Sequence, residues 1–209
     1  RVRLILIGTS VGLALGFLFV FGLDKFDRTI KTPEDLENKG VSVLCWIPNI
    51  EEADIENSPS HEFLMHMKNK SNISEAFKAL RTRIQFSKLE EKPLKSILIT
   101  SSIPSEGKTT VSVNLAGSFA LAGKKTLILD CDLRKPRVHS LFNLERYPGL
   151  SDYLFSNCTL EEITRKTELD NLFVISAGTI PPNPSEILGS MQMKKFIQKL
   201  EEMYDILII

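Results

Sequence analysis

The spacing of hydrophobic and polar positions changes several times along the chain, and each change marks an element. From Leu4 to Leu23 twenty residues carry no charge; as a helix they span about 30 Å, the thickness of the hydrocarbon core of a bilayer. This is the pattern of a transmembrane span. A cleavable signal peptide has a shorter apolar core and a small-residue cleavage site, and Phe21-Gly-Leu-Asp-Lys25 offers neither. Thr32 and Pro33 open a short helix as N-cap and first-turn residue. Val41–Pro48 reads as a strand. Residues 51–72 are polar and aperiodic, as a linker is, unless Phe63, Leu64, Met65 and Met67 pack as one helical turn. From Asn72 the period becomes helical, with Ile73, Phe77, Leu80 and Ile84 on one stripe and Asn72 and Glu75 in capping-box spacing.

Further on, short aliphatic runs alternate with helical patterns. Ile97–Ile99 is an unbroken apolar run, predicting a strand buried on both faces, and Val111, Leu115, Phe119 and Ala122 predict an amphipathic helix after it. Lys125–Leu129 and Leu172–Ser176 predict two more buried strands. Thr159 and Glu162 form a capping box, and Asn183-Pro-Ser-Glu186 caps a helix carrying Ile187, Leu188, Met191, Phe196 and Leu200. Strands and helices alternating at these lengths predict an α/β fold: a parallel sheet with helices on both faces, preceded by one transmembrane helix. No internal repeat is visible.

The polar loop between the first strand and its helix ends in Gly107-Lys108-Thr109. A strand, a loop of this kind and a helix make a P-loop, in which backbone amides and the positive helix end face phosphates. Gly107 lets the backbone approach closely, Lys108 reaches the β- and γ-phosphates, and the Thr109 hydroxyl ligates Mg²⁺. The first glycine of the usual pattern is replaced by Ser102. The second strand ends in Asp130-Cys-Asp132-Leu-Arg134. Carboxylates there lie on the ligand edge of a parallel sheet, where they can hold Mg²⁺ through water or accept a proton from an attacking hydroxyl. The candidate catalytic residues are therefore Lys108, Asp130 and Asp132, with Thr109 and Asp130 as metal-associated groups and ATP and Mg²⁺ as cofactors.

Composition narrows this only slightly. The 209 residues allow one α/β domain and an appendage, and 26 basic against 26 acidic residues leave no whole-chain footprint for nucleic acid. Cys45, Cys131 and Cys158 lack metal-site or disulfide spacing and read as reduced thiols, while His61 and His66 read as solvated. Gly8, Gly12 and Gly16 share one stripe of the apolar helix, which predicts self-association in lipid. Arg1 and Arg3 precede the span while Lys25, Arg28 and Lys31 come after it, a slight lean towards a cytoplasmic C-terminal side that the need for ATP supports. The start at Arg1 and the end inside the apolar run Tyr204–Ile209 are expected of a fragment.

With these motifs in view, the chain resembles the bacterial tyrosine kinases of the exopolysaccharide and capsule type, autokinases fused to Wzz-like chain-length determinants. Thr100-Ser-Ser-Ile-Pro-Ser-Glu-Gly-Lys-Thr-Thr110 is similar to their Walker A segment, Ile128-Leu-Asp-Cys-Asp-Leu-Arg-Lys-Pro136 to their Walker A′ segment, and Pro181-Pro-Asn-Pro-Ser-Glu-Ile-Leu188 to a later motif. The resemblance implies that Ser102, Ser105, Glu106, Gly107, Lys108, Thr109, Thr110 and Arg134 bind the nucleotide. It also implies that a Walker B carboxylate and a tyrosine-rich acceptor tail lie beyond Ile209. Three segments are expected: a transmembrane flank over 1–31, a juxtamembrane segment and linker over 32–71, and a kinase domain from 72 to 209. Glu75, Lys78 and Arg81 stand where the family carries E-x-x-R-x-x-R, a subunit contact, with Lys78 replacing an arginine and losing its bidentate fork.

The resemblance thus implies an ATP-dependent protein tyrosine autokinase at the bacterial inner membrane, regulating exopolysaccharide and capsule synthesis and chain length. Its kinase domain is cytoplasmic, and its partners are a neighbouring subunit's tail and the polysaccharide export machinery. Tyr147, Tyr153 and Tyr204 are isolated and read as structural. Two alternatives stay open. One is a switch ATPase of the MinD/ParA type, against which Ile103 stands where those proteins carry a second lysine. The other is a polysaccharide co-polymerase scaffold without catalysis.

Overall fold

The computed structural model describes residues 1–26, 30, 32–48, 63, 72–87 and 93–209. The chain divides into two compact units, Arg1–Val43 and Leu44–Ile209. In the first, helix α1 (Val2–Phe26) exposes its large apolar side chains, among them Leu13 at 74% and Phe17 at 81%. Ile5–Leu23 is long and apolar enough to cross a membrane. The short helix α2 (Pro33–Glu37) begins after Thr32, whose amide donates to Asp35 as expected of this start.

The second unit is a five-stranded sheet in the order β1-β5-β2-β4-β3. Helix α3 (Asn72–Phe86) leads into β1 (Ser96–Ile97), α4 (Lys108–Leu121) and β2 (Thr126–Leu129). Short helices α5 (Val138–Leu141), α6 (Leu150–Leu154) and α7 (Leu160–Ile163) precede β3 (Thr164–Lys166) and β4 (Leu172–Ile175). Helices α8 (Pro184–Leu188) and α9 (Met191–Met203) then lead to β5 (Ile206–Ile208). Pairings β1–β5, β5–β2 and β2–β4 are parallel.

Alternation along the strands builds two cores. Ile128, Val174, Ile206 and Ile208 face α3 and α4, while Leu127, Leu129, Ile175 and Leu207 face α6, α7 and α9. The stripe Ile73, Phe77 and Leu80 is buried as its period predicts, with Ile84 packed beside it.

Several expectations are corrected. Strand β3 pairs antiparallel with β4, so the sheet is mixed; its Thr164-Arg-Lys166 lacks any hydrophobic signal because it is a short edge strand. The run Ile97–Ile99 is not buried on both faces: β1 is the other edge, and Leu98 is 71% exposed. Helix α4 is not amphipathic, since Val113 to Ala120 are all buried between the sheet and α3. Val41–Pro48 forms no strand; only its alternation survives, with Cys45 and Ile47 packed on the core. The single helix expected after Asn183 is two, broken at Gly189, with the Ser190 hydroxyl accepting from the Met193 amide to cap α9. The linker and its alternative helical turn fall outside the described residues except for Phe63, which packs against Phe142. The cap position before Asn72 falls outside them too.

Candidate functional site: a cleft at the carboxyl edge of the sheet

The site begins where β1 runs out. Ile99 donates to the Ile209 carbonyl at 2.8 Å, the last rung of the ladder, and from Thr100 the chain turns away from the sheet. Two residues of the loop beyond are left-handed, Ser105 (φ 65°) and Gly107 (φ 83°). A Cβ at Gly107 would meet nothing within 4 Å, so backbone conformation and not crowding asks for glycine there. Gly107 is the N-cap of α4, and its carbonyl accepts from the Val111 amide at 2.9 Å. The helix's own ladder starts with that bond, so the amides of Lys108 and Thr109 have no acceptor within the helix. The Lys108 ammonium lies 3.1 Å from the Ser101 hydroxyl, across the loop.

Glu106, though exposed, braces the loop. Its carboxylate accepts from the Ile103 amide at 3.2 Å and lies 3.4 Å from the Ser102 hydroxyl, and the Ile103 bond holds its pKa below the usual carboxylate range. The serine that replaces glycine therefore sits at a position that is not left-handed, and its hydroxyl faces Glu106.

Asp130 comes directly after β2, its amide bonded to the Ile175 carbonyl at 3.0 Å. Its side chain is only 4% exposed, and its oxygens accept from the amides of Asp132 (3.1 Å) and Val138 (3.2 Å). Burial outweighs these bonds and raises its pKa to about 6. Asp132, exposed at the rim, accepts from the amides of Lys135 and Arg134. Cys131 between them is pushed up to about 12 by burial and by Asp130, so it remains a thiol.

A cleft of about 410 Å³ brings these elements together. Lys108, Thr109, Asp130, Asp132 and Arg134 all line it, while Ser102, Ser105, Glu106 and Gly107 in the loop and Thr110 in the first turn of α4 do not. Ser112, Pro184, Ser185 and Leu188 line it too and were not among the residues expected at the site. For the last three the signal was present, since they belong to the segment Pro181–Leu188 singled out by its sequence.

The donor set fits a nucleotide and a hard divalent cation. Free helix-start amides and an ammonium suit phosphate oxygens, and the Thr109 hydroxyl with two carboxylates suits Mg²⁺, which takes few protein ligands and keeps waters. No group of three or more His, Cys, Asp or Glu residues suited to a metal occurs among the described residues.

The remaining candidates lie apart. Lys78 pairs with Glu75 at 2.8 Å on the exposed face of α3, but the Arg81 guanidinium turns inward and donates to the Ser118 carbonyl near the C-terminal end of α4. Gly8, Gly12 and Gly16 have open space around them on α1. Tyr204 is buried and Tyr153 packs on Phe196, whereas Tyr147 is 62% exposed.

The chain is similar to known proteins in sequence and in fold. A family model described as an AAA domain matches residues 94–209. Tyrosine-protein kinase YwqD of Bacillus subtilis is 42% identical over 139 residues, covering 66% of this chain and 58% of that protein. Tyrosine-protein kinase Etk of Escherichia coli is 31% identical over 220 residues, covering 98% of this chain and 30% of that protein. The chain thus spans less than two thirds of the length of these relatives. The solved kinase domain of Escherichia coli ETK superposes with a TM-score of 0.78 at 34% identity, over 86% of this chain and 72% of that one.

Proposed function

We propose, from the premise that this chain belongs to the AAA domain family and has bacterial tyrosine-protein kinases as relatives, that it carries out ATP-dependent phosphorylation of protein tyrosines. The observation that carries this reading is the convergence of Lys108 and Thr109 with Asp130 and Asp132 on one cleft, from the ends of two different strands. Bound MgATP would supply the transferable phosphoryl group and the charge neutralisation that such transfer needs. Lys108 and the amides at the start of α4 hold phosphate oxygens, and Thr109 holds the metal. Asp130, recessed behind the rim and oriented by the Asp132 and Val138 amides, takes the phenolic proton. Asp132, at the rim and solvated, organises water around the metal.

In the same reading the chain is tethered to the bacterial inner membrane by α1, with the cleft on the cytoplasmic side. It regulates capsule and exopolysaccharide synthesis and chain length alongside the export machinery. Self-association uses the stripe Gly8, Gly12 and Gly16 and the α3 face of Glu75 and Lys78, with Arg81 engaged within its own subunit. The acceptors are tyrosines on the tail of a neighbouring copy.

The test is to incubate the full-length protein with γ-labelled ATP and Mg²⁺ beside Lys108→Met. Label on tyrosine that vanishes in the variant is the expected result. Release of free phosphate with no label on protein would instead mean a switch ATPase, and absence of both together with absence of ATP binding would mean a scaffold.

A further inference from the structure

The cleft has a wall that binding of phosphate and metal does not use. Helix α8 presents Pro184, Ser185 and Leu188 to the same cavity as Lys108 and the two carboxylates. Strand order places this wall. The phosphate loop leaves β1, the carboxylates leave β2 two positions along, and α8 arrives from β4 on the far side of β2. Along the sheet edge the order is therefore phosphate loop, carboxylates, α8. In-line phosphoryl transfer sets the attacking oxygen opposite the leaving oxygen, so the acceptor approaches on the side away from the phosphate loop. That side is α8.

We propose that Pro184 and Leu188 form the surface against which the aromatic ring of the acceptor tyrosine lies, and that they set selectivity for tyrosine over serine and threonine. The inference rests on the kinase reading under Proposed function. Both side chains are half-buried, leaving apolar surface open to the cleft, and the wall is fixed from behind by Ile187 in the core and by Gly189 and Ser190 amides bonded to the Ser185 and Ile187 carbonyls. Asp130 is recessed, with 4% exposure. A tyrosine hydroxyl stands a ring's length beyond its Cβ and can reach such a carboxylate, whereas a serine hydroxyl stands one bond beyond and leaves the peptide backbone to clash with the rim. In the transfer, the phenolic oxygen bonds to the γ-phosphorus as the bond to the ADP oxygen breaks, and the phenolic proton passes to the carboxylate.

The experiment uses the full-length protein in detergent with a peptide bearing one tyrosine, its serine counterpart, and a fluorescent ADP analogue to read nucleotide affinity. Leu188→Ala is expected to raise KM for the tyrosine peptide about tenfold, the loss of roughly half a leucine's burial, with nucleotide Kd unchanged and a lower unfolding midpoint, since the side chain also packs on the core. Pro184→Ala should shift KM in the same direction, and Leu188→Met, which keeps an apolar side chain of similar volume, should restore it. An unchanged KM in both alanine variants, or a nucleotide Kd that weakens in step with KM, overturns the proposal, the latter by assigning the wall to the nucleotide. Wild-type protein that labels no tyrosine at all overturns the kinase reading itself, and is told apart because it fails before any variant is compared.

Discussion

The two ends of the sheet are built from the same parallel strands and obey opposite rules. At the amino end, polar groups close on one another. Lys125 and Asp205, which precede β2 and β5, exchange bonds: the Lys125 amide donates to the Asp205 carboxylate at 2.9 Å and the Asp205 amide to the Lys125 carbonyl at 2.8 Å. The Lys125 ammonium stands over the rings of Tyr204 (4.7 Å) and Phe173 (5.7 Å), and Lys95 donates to the Tyr204 carbonyl. At the carboxyl end, Lys108 and Thr109 line an open cleft, Ser105 is held left-handed, and Asp130 is desolvated enough to lift its pKa. Such arrangements are destabilising unless the rest of the fold over-determines them. Stabilising contacts are thus concentrated at one end and the candidate site lies at the other, and substitutions at the two ends are expected to separate stability from the proposed activity.

The largest effect belongs to Lys108→Met. Tyrosine labelling should fall about a thousandfold, the scale of losing one electrostatic contact to a transition state. The unfolding midpoint should not move, because the Ser101 hydroxyl is a weak neutral partner at 3.1 Å and the ammonium otherwise faces the cleft. Tyr204→Ala should do the converse. Removing a ring that is 5% exposed and packed against Phe173 costs about 3 kcal/mol in denaturant unfolding, while kcat per folded molecule stays as it was.

Asp130→Asn cuts across both. A carboxyl whose pKa is raised to about 6 on folding binds more protons folded than unfolded, so its contribution to stability is complete below about pH 4 and is lost as pH rises through 6. The neutral variant is freed of that loss, about 3 kcal/mol at pH 7.5, but its single carboxamide oxygen leaves one of the Asp132 and Val138 amides facing an NH2, so the expected result is a stability that varies less between pH 4 and pH 7.5 than that of the wild type. Unfolding curves of nucleotide-free, Mg²⁺-free protein at several pH values check this, and labelling should be lost. A variant less stable than wild type at pH 7.5 would mean that the Asp132 and Val138 amide bonds outweigh desolvation. Smaller again is Lys125→Ala, expected to cost about 1 kcal/mol as the ammonium leaves two ring faces.

Legibility in the sequence divides along a similar line. Lys108, Thr109, Asp130 and Asp132 were legible because each is fixed by its own strand, loop or helix start, and a parallel fold brings such strand ends together without further instruction. What depended on a distant partner was not legible. The inward turn of Arg81 requires the Ser118 carbonyl, thirty-seven residues away. The burial of α4 on all sides depends on α3 covering the face that its own period leaves undecided. Edge positions were missed for the same reason: an aliphatic run such as Ile97–Ile99 reads alike in the middle of a sheet and at its margin, and only the order of the strands tells them apart. The break at Gly189 does have a local signal, for Ser190 ahead of Met191 is an N-cap.

The smallest expected effect bears on the one departure from the phosphate-loop pattern. If Ser102 were a damaged glycine, restoring glycine would tighten nucleotide binding. The loop argues otherwise: its left-handed positions are Ser105 and Gly107, so nothing at Ser102 needs a residue without Cβ. Its hydroxyl lies 3.4 Å from both Glu106 oxygens, contacts too long to contribute much. Ser102→Gly should therefore leave nucleotide Kd within about twofold, a difference below roughly 0.5 kcal/mol, and lower the unfolding midpoint slightly because glycine gains freedom in the unfolded chain. Ser105→Gly is the sharper companion. It places the permissive residue where the backbone is already left-handed, so it should raise the midpoint if relief of strain exceeds the entropy that glycine adds to the unfolded chain. Tighter nucleotide binding by Ser102→Gly, read by fluorescence titration, would mean that the serine obstructs the loop and that the departure from glycine has a functional cost.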